Sequence, residues 1–342
     1  MNMKKLLLSL VAATVAATAS FAQSSLLATL SHVEDGTITT YYGATALREA
    51  HAAAADGDII TLSSGSFNSV EITKGITLRG AGMDFDAATQ SEPTILVGDF
   101  NVSIPEETTQ PLTIEGVYSD NKMYVTLPLN NATFLKSRIK NVDSKSNSTV
   151  FKNLTMIHCK ISSQIYCASG STINCINCII WNPVCSNKNS VFEMTNCVVM
   201  KENVGLLYSS TFKNCIFIGN NGPNFFNYYE GPNTVYNCVG LDYDTERSIF
   251  RKIQNNTNSI AAYADVMKTC KDGTYSDSET FELTDAAKTQ YLGTDGTQVG
   301  IHGGSMPFSI TPSNPQITKA NVAAKSTADG KLSIDITVKG AE

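Results

Sequence analysis

Four tripeptides ending in Asn-Cys decide the fold of this chain: Ile176-Asn177-Cys178, Thr195-Asn196-Cys197, Lys213-Asn214-Cys215 and Tyr236-Asn237-Cys238. Their cysteines are 19, 18 and 23 residues apart. Upstream, the pattern continues with Gly, Ser or Cys in the last position: Leu78-Arg79-Gly80, Ile114-Glu115-Gly116, Leu135-Lys136-Ser137 and Ile157-His158-Cys159. A repeat of about twenty residues is typical of a solenoid, in which each turn of the chain stacks on the one before.

Short β-type runs separate these tripeptides. Three of them fall within the first twenty residues of the pattern, at Ile59–Leu62, Val70–Ile72 and Ile76–Leu78, with Gly and Ser at the corners between them. This spacing predicts an all-β fold, a right-handed single-stranded parallel β-helix, because crossovers between parallel strands are almost always right-handed. From residue 59 to residue 301 the chain would form about eleven turns, in a rod about 50 Å long.

Equivalent positions of a solenoid form columns along its axis. We predict that the last tripeptide position faces a cramped interior corner that only small side chains fit, and that its cysteines are buried and reduced: Cys159, Cys178, Cys197, Cys215 and Cys238. The preceding position suits Asn, which tolerates left-handed backbone angles: Asn177, Asn196, Asn214 and Asn237. His158 stands in this second column as a variant. A disulfide remains open among Cys167, Cys175, Cys185 and Cys270.

The chain divides into four segments. Residues 1–22 resemble a secretory signal peptide, with Lys4 and Lys5 before an apolar run and Ser20-Phe21-Ala22 as the cleavage site, which predicts export to the periplasm, the cell surface or the medium. Residues 23–58 form an N-terminal cap with a helix over 45–55. Residues 59–310 form the β-helix, and residues 311–342 a linker and a β-hairpin. No later apolar run is long enough to be a transmembrane segment.

The C-terminal segment carries a hairpin signal. Ile317–Ala323 and Leu332–Val338 alternate in polarity on either side of Ala328-Asp329-Gly330. An isolated hairpin is only marginally stable in water. We therefore expect it either to cover the last coil of the solenoid or to dock on a partner by strand addition.

The composition excludes one class of partner. The 342 residues carry a formal net charge of −6, and only 16% of them are charged. Such a chain lacks the basic surface that nucleic acid requires. We also expect no cofactor.

A resemblance to known proteins adds to this interpretation. The run from Gly43 to Ala50, then Asp56–Leu62, Gly65-Ser66-Phe67 and Ile76–Gly82, resembles the opening of pectate-lyase-like β-helix proteins, where a helix caps the first coil. Residues 281–304 are similar to the closing coil of secreted β-helix proteins of Bacteroidetes type. The resemblance implies the fold over residues 40–310. The Asp pairs of the hydrolases and the Trp-x-Asp-His and Arg-x-Pro-x-x-Arg runs of the lyases are missing.

Two surface segments are candidate sites. The Asn- and Gly-rich stretch at 220–233 places aromatic rings beside polar groups, as sugar recognition requires, and with the single Trp gives a ligand-binding set: Phe225, Phe226, Tyr228, Tyr229, Glu230 and Trp181. The same rings could simply cover the flank of the solenoid. A weak calcium candidate consists of Asp242, Asp244 and Glu246, for which a solvated acidic corner is the plainer interpretation.

These observations lead to three hypotheses on function. The first is an exported, non-catalytic β-helix that binds glycans or a cell-surface partner. The second is a polysaccharide lyase or glycoside hydrolase acting on an acidic polysaccharide, which would need a lateral cleft that gathers Lys or Arg with carboxylates. The third is an assembly protein that uses the terminal hairpin.

Overall fold

The computed structural model describes residues 26–87, 91–185, 189–200, 209–218, 234–241, 258–313, 315–322, 325–327 and 329–339. Within these ranges, none of the helices has the length and apolar character needed to cross a bilayer. The residues of the predicted signal peptide lie outside them.

The N-terminal cap is a β-hairpin followed by a helix. Strands β1 (Leu27–Ser31) and β2 (Ile38–Tyr42) pair antiparallel, and β1 also pairs antiparallel with β3 (Ile59–Leu62), the first strand of the solenoid. Helix α1 (Ala46–Ala53) confirms the predicted capping helix. It buries Leu47 and Ala50, and Thr45 precedes it, although the Thr45 side chain makes no capping hydrogen bond and donates to Glu49 instead.

The strands of the solenoid form two long stacks. Sheet A contains, after β2, β1 and β3, the strands β5 (Thr77–Arg79), β8 (Thr113–Glu115), β11 (Thr133–Leu135), β14 (Leu154–Ile157), β16 (Thr172–Ile176), β19 (Val191–Thr195), β21 (Thr211–Lys213) and β23 (Thr234–Tyr236). Sheet B contains β4 (Gly65–Asn68), β6 (Thr94–Val97), β7 (Phe100–Val102), β9 (Val117–Val125), β12 (Arg138–Ser144), β15 (Lys160–Cys167), β17 (Ile179–Ile180), β18 (Pro183–Cys185), β20 (Val198–Met200), β22 (Ile216–Ile218), β24 (Val239–Leu241) and β25 (Asn258–Ile260). A short third pair joins β10 (Leu129–Asn130) to β13 (Phe151–Lys152).

From β3 onwards the pairing in both sheets is parallel, which confirms the predicted β-helix. It has about eight turns rather than the predicted eleven, and is therefore roughly 40 Å long at the usual strand spacing. One reason is that Thr77 pairs directly with Thr113, so a step of 36 residues makes a single turn. The other is that residues 261–313 contribute no strand to either sheet.

From β8 onwards a sharp corner joins each described strand of sheet A to sheet B, and the residue at that corner has a left-handed backbone. This left-handed column has φ between +46° and +64° and consists of Gly116, Lys136, His158, Asn177, Asn196, Asn214 and Asn237. Asn177, Asn196, Asn214 and Asn237 all lie in it. The next residue in each turn points inward and forms the small-residue column: Thr94, Val117, Ser137, Cys159, Cys178, Cys197, Cys215 and Cys238, all 0% exposed.

The alignment of the first two tripeptides was wrong by one residue. Because Leu135 pairs with Glu115, Lys136 lies above Gly116 and Ser137 lies above Val117. Gly80 and Gly116 therefore belong to the corner itself and not to the small-residue column. A Cβ on Gly80 would lie 2.3 Å from the carbonyl oxygen of Gly116, so the two corners approach too closely for a side chain there.

Residues 261–290 cover the outer face of sheet B at the C-terminal end of the rod. A short 3-10 helix (Tyr263–Asp265) and helix α2 (Asp285–Gln290) belong to this segment. It buries apolar side chains that point outward from successive turns: Ile179, Val198, Ile216 and Val239. Sheet B is consequently apolar on both faces here, which explains the continuous apolar runs after Cys178, Cys197 and Cys215.

The chain then returns along the rod. Residues 292–313, the C-terminal strap, follow the left-handed column towards the N-terminal end. Asn237 Nδ2 donates to Leu292 O at 3.1 Å, Asn177 Nδ2 donates to Ile301 O at 2.8 Å, and Ser313 N donates to Glu115 Oε1 at 2.8 Å. Residues 281–304 thus do not form the closing coil that the resemblance implied, because they lie across the turns rather than extending them.

The terminal hairpin is present. Strands β26 (Gln316–Val322) and β27 (Ile334–Lys339) pair antiparallel with each other and with no other strand of the described residues. Residues 331–338 are exposed on both faces. The hairpin therefore adds no strand to the described edge of the last coil in either sheet.

Candidate ligand-binding face

Three of the strands in sheet B are long enough to continue round a second corner. They are β9, β12 and β15, and they share a register on both sides of an irregularity at Lys140. Beyond this corner, apolar residues point inward and the residue between them points outward. The outward residues stack in one column, in which Tyr124 pairs with Asp143 and Asp143 with Tyr166.

Together with their polar neighbours, these residues form a surface that we name the lateral tyrosine face: Lys122, Tyr124, Asn141, Asp143, Lys145, Gln164 and Tyr166. Tyr124 and Tyr166 are partly exposed and stand two turns apart, so their Cα atoms are separated by roughly 10 Å. Asp143 lies between the two rings and is 7% exposed.

The central carboxyl has few contacts with water. Gln164 Nε2 donates a hydrogen bond to Asp143 Oδ1 at 3.1 Å. Burial raises the pKa of Asp143, an effect that the hydrogen bonds from Gln164 and Asn141 and the charge of Lys122 only partly offset. Asp143 therefore keeps its proton to a higher pH than an exposed Asp does.

Two ammonium groups flank the Tyr124 ring. Lys145 Nζ lies 5.0 Å and Lys122 Nζ 5.8 Å from the ring centroid, within the range of a cation–π contact. In the described part of the chain, neither ammonium forms an ion pair with a carboxylate. The face thus offers two flat aromatic surfaces, amide groups, a carboxyl group and two available cations.

A second cluster of charged groups lies on the same strands, before the corner. Arg138 reaches Asp277 at 3.0 Å and Asp84 at 3.5 Å, and Lys160 reaches Asp84 at 2.6 Å. The Arg138 guanidinium also stacks on the Tyr118 ring at 4.7 Å. This is the gathering of basic residues and carboxylates that an enzyme would need.

The charges of this cluster are already paired with one another. Asp84 comes from the insertion after β5 and Asp277 from the segment that covers sheet B, so both carboxylates hold covering segments against the rod. The side chains of Arg138 and Lys160 are each only 16% exposed. The cluster therefore attaches the covering segments to the solenoid and leaves little room for a ligand.

The residues predicted as sites are only partly described. Trp181 is half-buried, and its ring packs edge-on against Tyr275 at 5.6 Å, so it contributes to the covering segment rather than to an open surface. The other members of the predicted ligand-binding set, Phe225, Phe226, Tyr228, Tyr229 and Glu230, lie outside the described residues. So do Asp242, Asp244 and Glu246. Among the residues that are described, no group of His, Cys, Asp and Glu is arranged to hold a metal ion.

The cysteines of the column, Cys159, Cys178, Cys197, Cys215 and Cys238, are buried free thiols in the structure. Cys175 and Cys270 are also reduced. Cys167 is buried opposite Cys185 in the strand register, and the Cys185 side chain is not among those described. His158 is confirmed as a member of the left-handed column, where its Nε2 lies 2.9 Å from Met306 O.

The sequence reasoning missed the lateral tyrosine face, although a signal for it exists. Met123-Tyr124-Val125, Val142-Asp143-Ser144 and Ile165-Tyr166-Cys167 repeat with the period of the solenoid, each with its middle residue outward. Extending the repeat alignment past the second corner would have shown the column.

Comparison with protein-family models, with curated proteins and with solved structures finds no match for this chain.

Proposed function

We propose that this protein is an exported, non-catalytic β-helix that binds polysaccharide along the lateral tyrosine face. The observation that carries the proposal is the column of Tyr124, Asp143 and Tyr166. Sugar rings present a flat apolar surface and a rim of hydroxyl groups. Tyrosine rings complement the surface, and amide and carboxyl groups complement the rim.

The form of the rod supports an extended ligand. Equivalent positions repeat at the strand spacing of about 4.8 Å, so the two tyrosines lie along the axis on a rigid scaffold. A polymer can contact both rings at once, and the second contact is then intramolecular, which raises the affinity. Export rests on the sequence of residues 1–22 and agrees with a ligand found outside the cell.

Binding to a panel of polysaccharides, measured by affinity electrophoresis and on a glycan array, tests the proposal. We expect the double variant Tyr124→Ala, Tyr166→Ala to lose at least about tenfold in affinity, because each stacking contact contributes on the order of 1 kcal/mol. Phe85→Ala is the matched control, since this ring is also exposed but lies on the insertion after β5.

Equal binding by the wild-type protein and the tyrosine double variant would contradict the proposal, as would the absence of binding to every polysaccharide. Loss of binding in Tyr228→Ala, Tyr229→Ala alone would move the site to the aromatic segment at 220–233.

The second candidate function is a polysaccharide lyase or glycoside hydrolase. The resemblance of residues 43–82 to pectate-lyase-like proteins favours it, and so does the raised pKa of Asp143, since the general acid of a glycoside hydrolase is a carboxyl whose pKa is raised. Incubation with acidic polysaccharides, followed by assays for unsaturated and reducing ends, decides between the two. We expect no product. A product that disappears in Asp143→Asn would replace the binding function with an enzymatic one.

A further inference from the structure

The terminal hairpin presents an apolar stripe to solvent. Ile334, Ile336 and Val338 alternate along β27 and are 57%, 52% and 54% exposed. The strand register places Val322, Ala320 and Ile317 of β26 directly opposite them. A two-stranded sheet is marginally stable on its own, and the exposed apolar residues of β27 favour a further strand or a cover.

A matching strand edge lies at the other end of the fold. Strand β2 is the terminal strand of sheet A, and no described strand pairs with its outer edge. Its outward residues also alternate, with Ile38 and Tyr42 both 67% exposed and Thr40 exposed between them. Exposed edges of this kind accept an additional strand.

The charges of the two segments are complementary. The turn before β2 borders a cavity of about 360 Å³ whose lining includes Glu34, Asp35, Asp56 and Asp58. Residues 31–58 contain five acidic residues and one arginine, whereas residues 316–339 contain four lysines and two aspartates. Opposite charge between two surfaces favours their encounter and fixes their register.

The C-terminal strap brings the two segments to the same end of the rod. It ends where Ser313 N contacts Glu115 of β8, four strands from β2 in sheet A. Four strand spacings are about 20 Å. The hairpin therefore leaves the solenoid near the N-terminal cap, which allows two copies of the chain to exchange contacts reciprocally.

We propose that two copies of this chain form a two-fold dimer in which β27 of each copy adds antiparallel to β2 of the other. A single register aligns the exposed residues of both strands: Val338 opposite Ile38, Ile336 opposite Thr40, and Ile334 opposite Tyr42. In this register Lys339 lies beside the acidic turn at Glu34 and Asp35. Reciprocal contacts of one surface with another are the commonest way in which soluble homodimers close.

Sedimentation and light scattering of the full chain without residues 1–22, over a range of concentrations, test the dimer. We expect Ile38→Asp on β2 and Ile336→Asp on β27 each to weaken dimerisation at least about tenfold, because the first places a charge opposite Val338 and the second places one between the two apolar cross-strand pairs. Leu127→Asp is the control, since Leu127 is exposed but lies on the solenoid. Lys339→Glu should weaken the dimer, and Glu34→Lys should restore it in the same chain.

The outcomes separate the proposal from its rivals. A wild-type monomer at every concentration overturns it. A dimer lost in Ile336→Asp but unchanged in Ile38→Asp also overturns it, because it indicates that the two hairpins pair with each other. Hydrogen exchange gives a second readout: residues 38–42 should become protected as the protein concentration rises, and unchanged exchange there would contradict strand addition.

Discussion

At the scale of single residues, the small-residue column meets two requirements at once. Its position has no room for a large side chain, and every member except Val117 has a sulfur or hydroxyl oxygen that can accept a hydrogen bond. Cys178 Sγ lies 3.3 Å from the backbone nitrogen of Cys159, and Cys197 Sγ lies 3.5 Å from that of Cys178. Each thiol in turn donates to carbonyl oxygens, as Cys197 does to Thr195 O at 3.3 Å and Cys175 O at 3.4 Å.

Other members of the column show that the shared property is a hydrogen-bond acceptor, which can be a hydroxyl oxygen instead of a sulfur. Ser137 Oγ accepts from Val117 N at 3.4 Å, and Thr94 Oγ1 accepts from Ala81 N at 2.8 Å. Cysteine and hydroxyl residues thus satisfy a buried N–H of the corner that would otherwise lack a partner.

This arrangement predicts opposite responses at two buried cysteines. We expect Cys197→Ala to lower the free energy of unfolding by about 1–3 kcal/mol, because the Cys178 N–H loses its acceptor, and Cys197→Ser to cost less. At Cys175, on sheet A, no described group hydrogen-bonds to the sulfur. There Ser should cost more than Ala, because it buries a hydroxyl without a partner. Urea unfolding of the four variants measures both differences.

The order of the Ser and Ala variants is the decisive result. If Ser and Ala have the same order of stability at both positions, the column selects only for size, and the hydrogen bonds of the thiols contribute nothing measurable.

At the scale of the repeating element, the sequence predicted best those positions where a residue's own conformational preference recurs with the period of the solenoid. The Asn-Cys pairs repeat at the period of the solenoid, and left-handed corners favour Asn for a local reason, so Asn177 to Asn237 were predictable. The one-residue error at Gly116 arose because Gly satisfies both descriptions, a small residue and a left-handed residue. Only the pairing of Leu135 with Glu115 distinguishes them.

The polar contacts of the C-terminal strap were not predictable from the sequence, because on the strap they are made by backbone atoms. Asn214 Oδ1 accepts from Thr294 N, and Asn214 O accepts from Gly300 N, both at 2.8 Å. Neither hydrogen bond uses a side chain of the strap, although Gly300 has no room for one, since a Cβ there would lie 2.5 Å from Ile216 Cδ1. The sequence indicated only indirectly that a segment covers sheet B. At one outward position of successive turns, Arg138 and Lys160 are followed by the apolar residues Ile179 and Val198.

Buried thiols, four of them in the column and Cys175 on sheet A, also make the stability of the protein sensitive to alkaline pH. Burial raises the pKa of five thiols well above that of a free cysteine: Cys159, Cys175, Cys178, Cys197 and Cys215. The unfolded chain releases these protons at about pH 8.5, whereas the folded chain retains them. The unfolded state then binds fewer protons than the folded state, so stability falls as the pH rises above that value.

We expect the free energy of unfolding to be insensitive to these thiols below about pH 8 and to fall by up to about 1.4 kcal/mol per thiol for each pH unit above about pH 9. Urea unfolding from pH 7 to pH 10.5 measures this slope. Cys197→Ser removes one titrating thiol and should therefore reduce the slope by the contribution of one proton, up to about 1.4 kcal/mol per pH unit. A slope that does not change in this variant would contradict the assignment to the column.

At the scale of the whole molecule, the strap joins turns that are distant along the rod. A solenoid is stabilised by contacts between neighbouring turns, so its ends can fray independently. The strap contacts Asn237, Asn214, Asn177, His158 and Glu115 in succession. It also buries Val299 and Ile301 against sheet B. Unfolding of any one turn therefore disturbs contacts with several others, and we infer that the rod unfolds more cooperatively than its repeats alone would.

Two truncations separate the strap from the hairpin. A chain that ends at residue 313 loses only β26 and β27, which pair with each other, and we expect its monomer to unfold at the same temperature as the full chain. A chain that ends at residue 290 also loses the strap, and with it the burial of Val299 and Ile301, each about 1.5–3 kcal/mol, and the partners of Asn177 and Glu115. We expect this chain to unfold several degrees lower and over a broader range, as the turns begin to melt separately. Calorimetry at low protein concentration, where any dimer dissociates, gives both the midpoint and the width. Equal midpoints for the two truncations would mean that the turns stabilise one another without the strap.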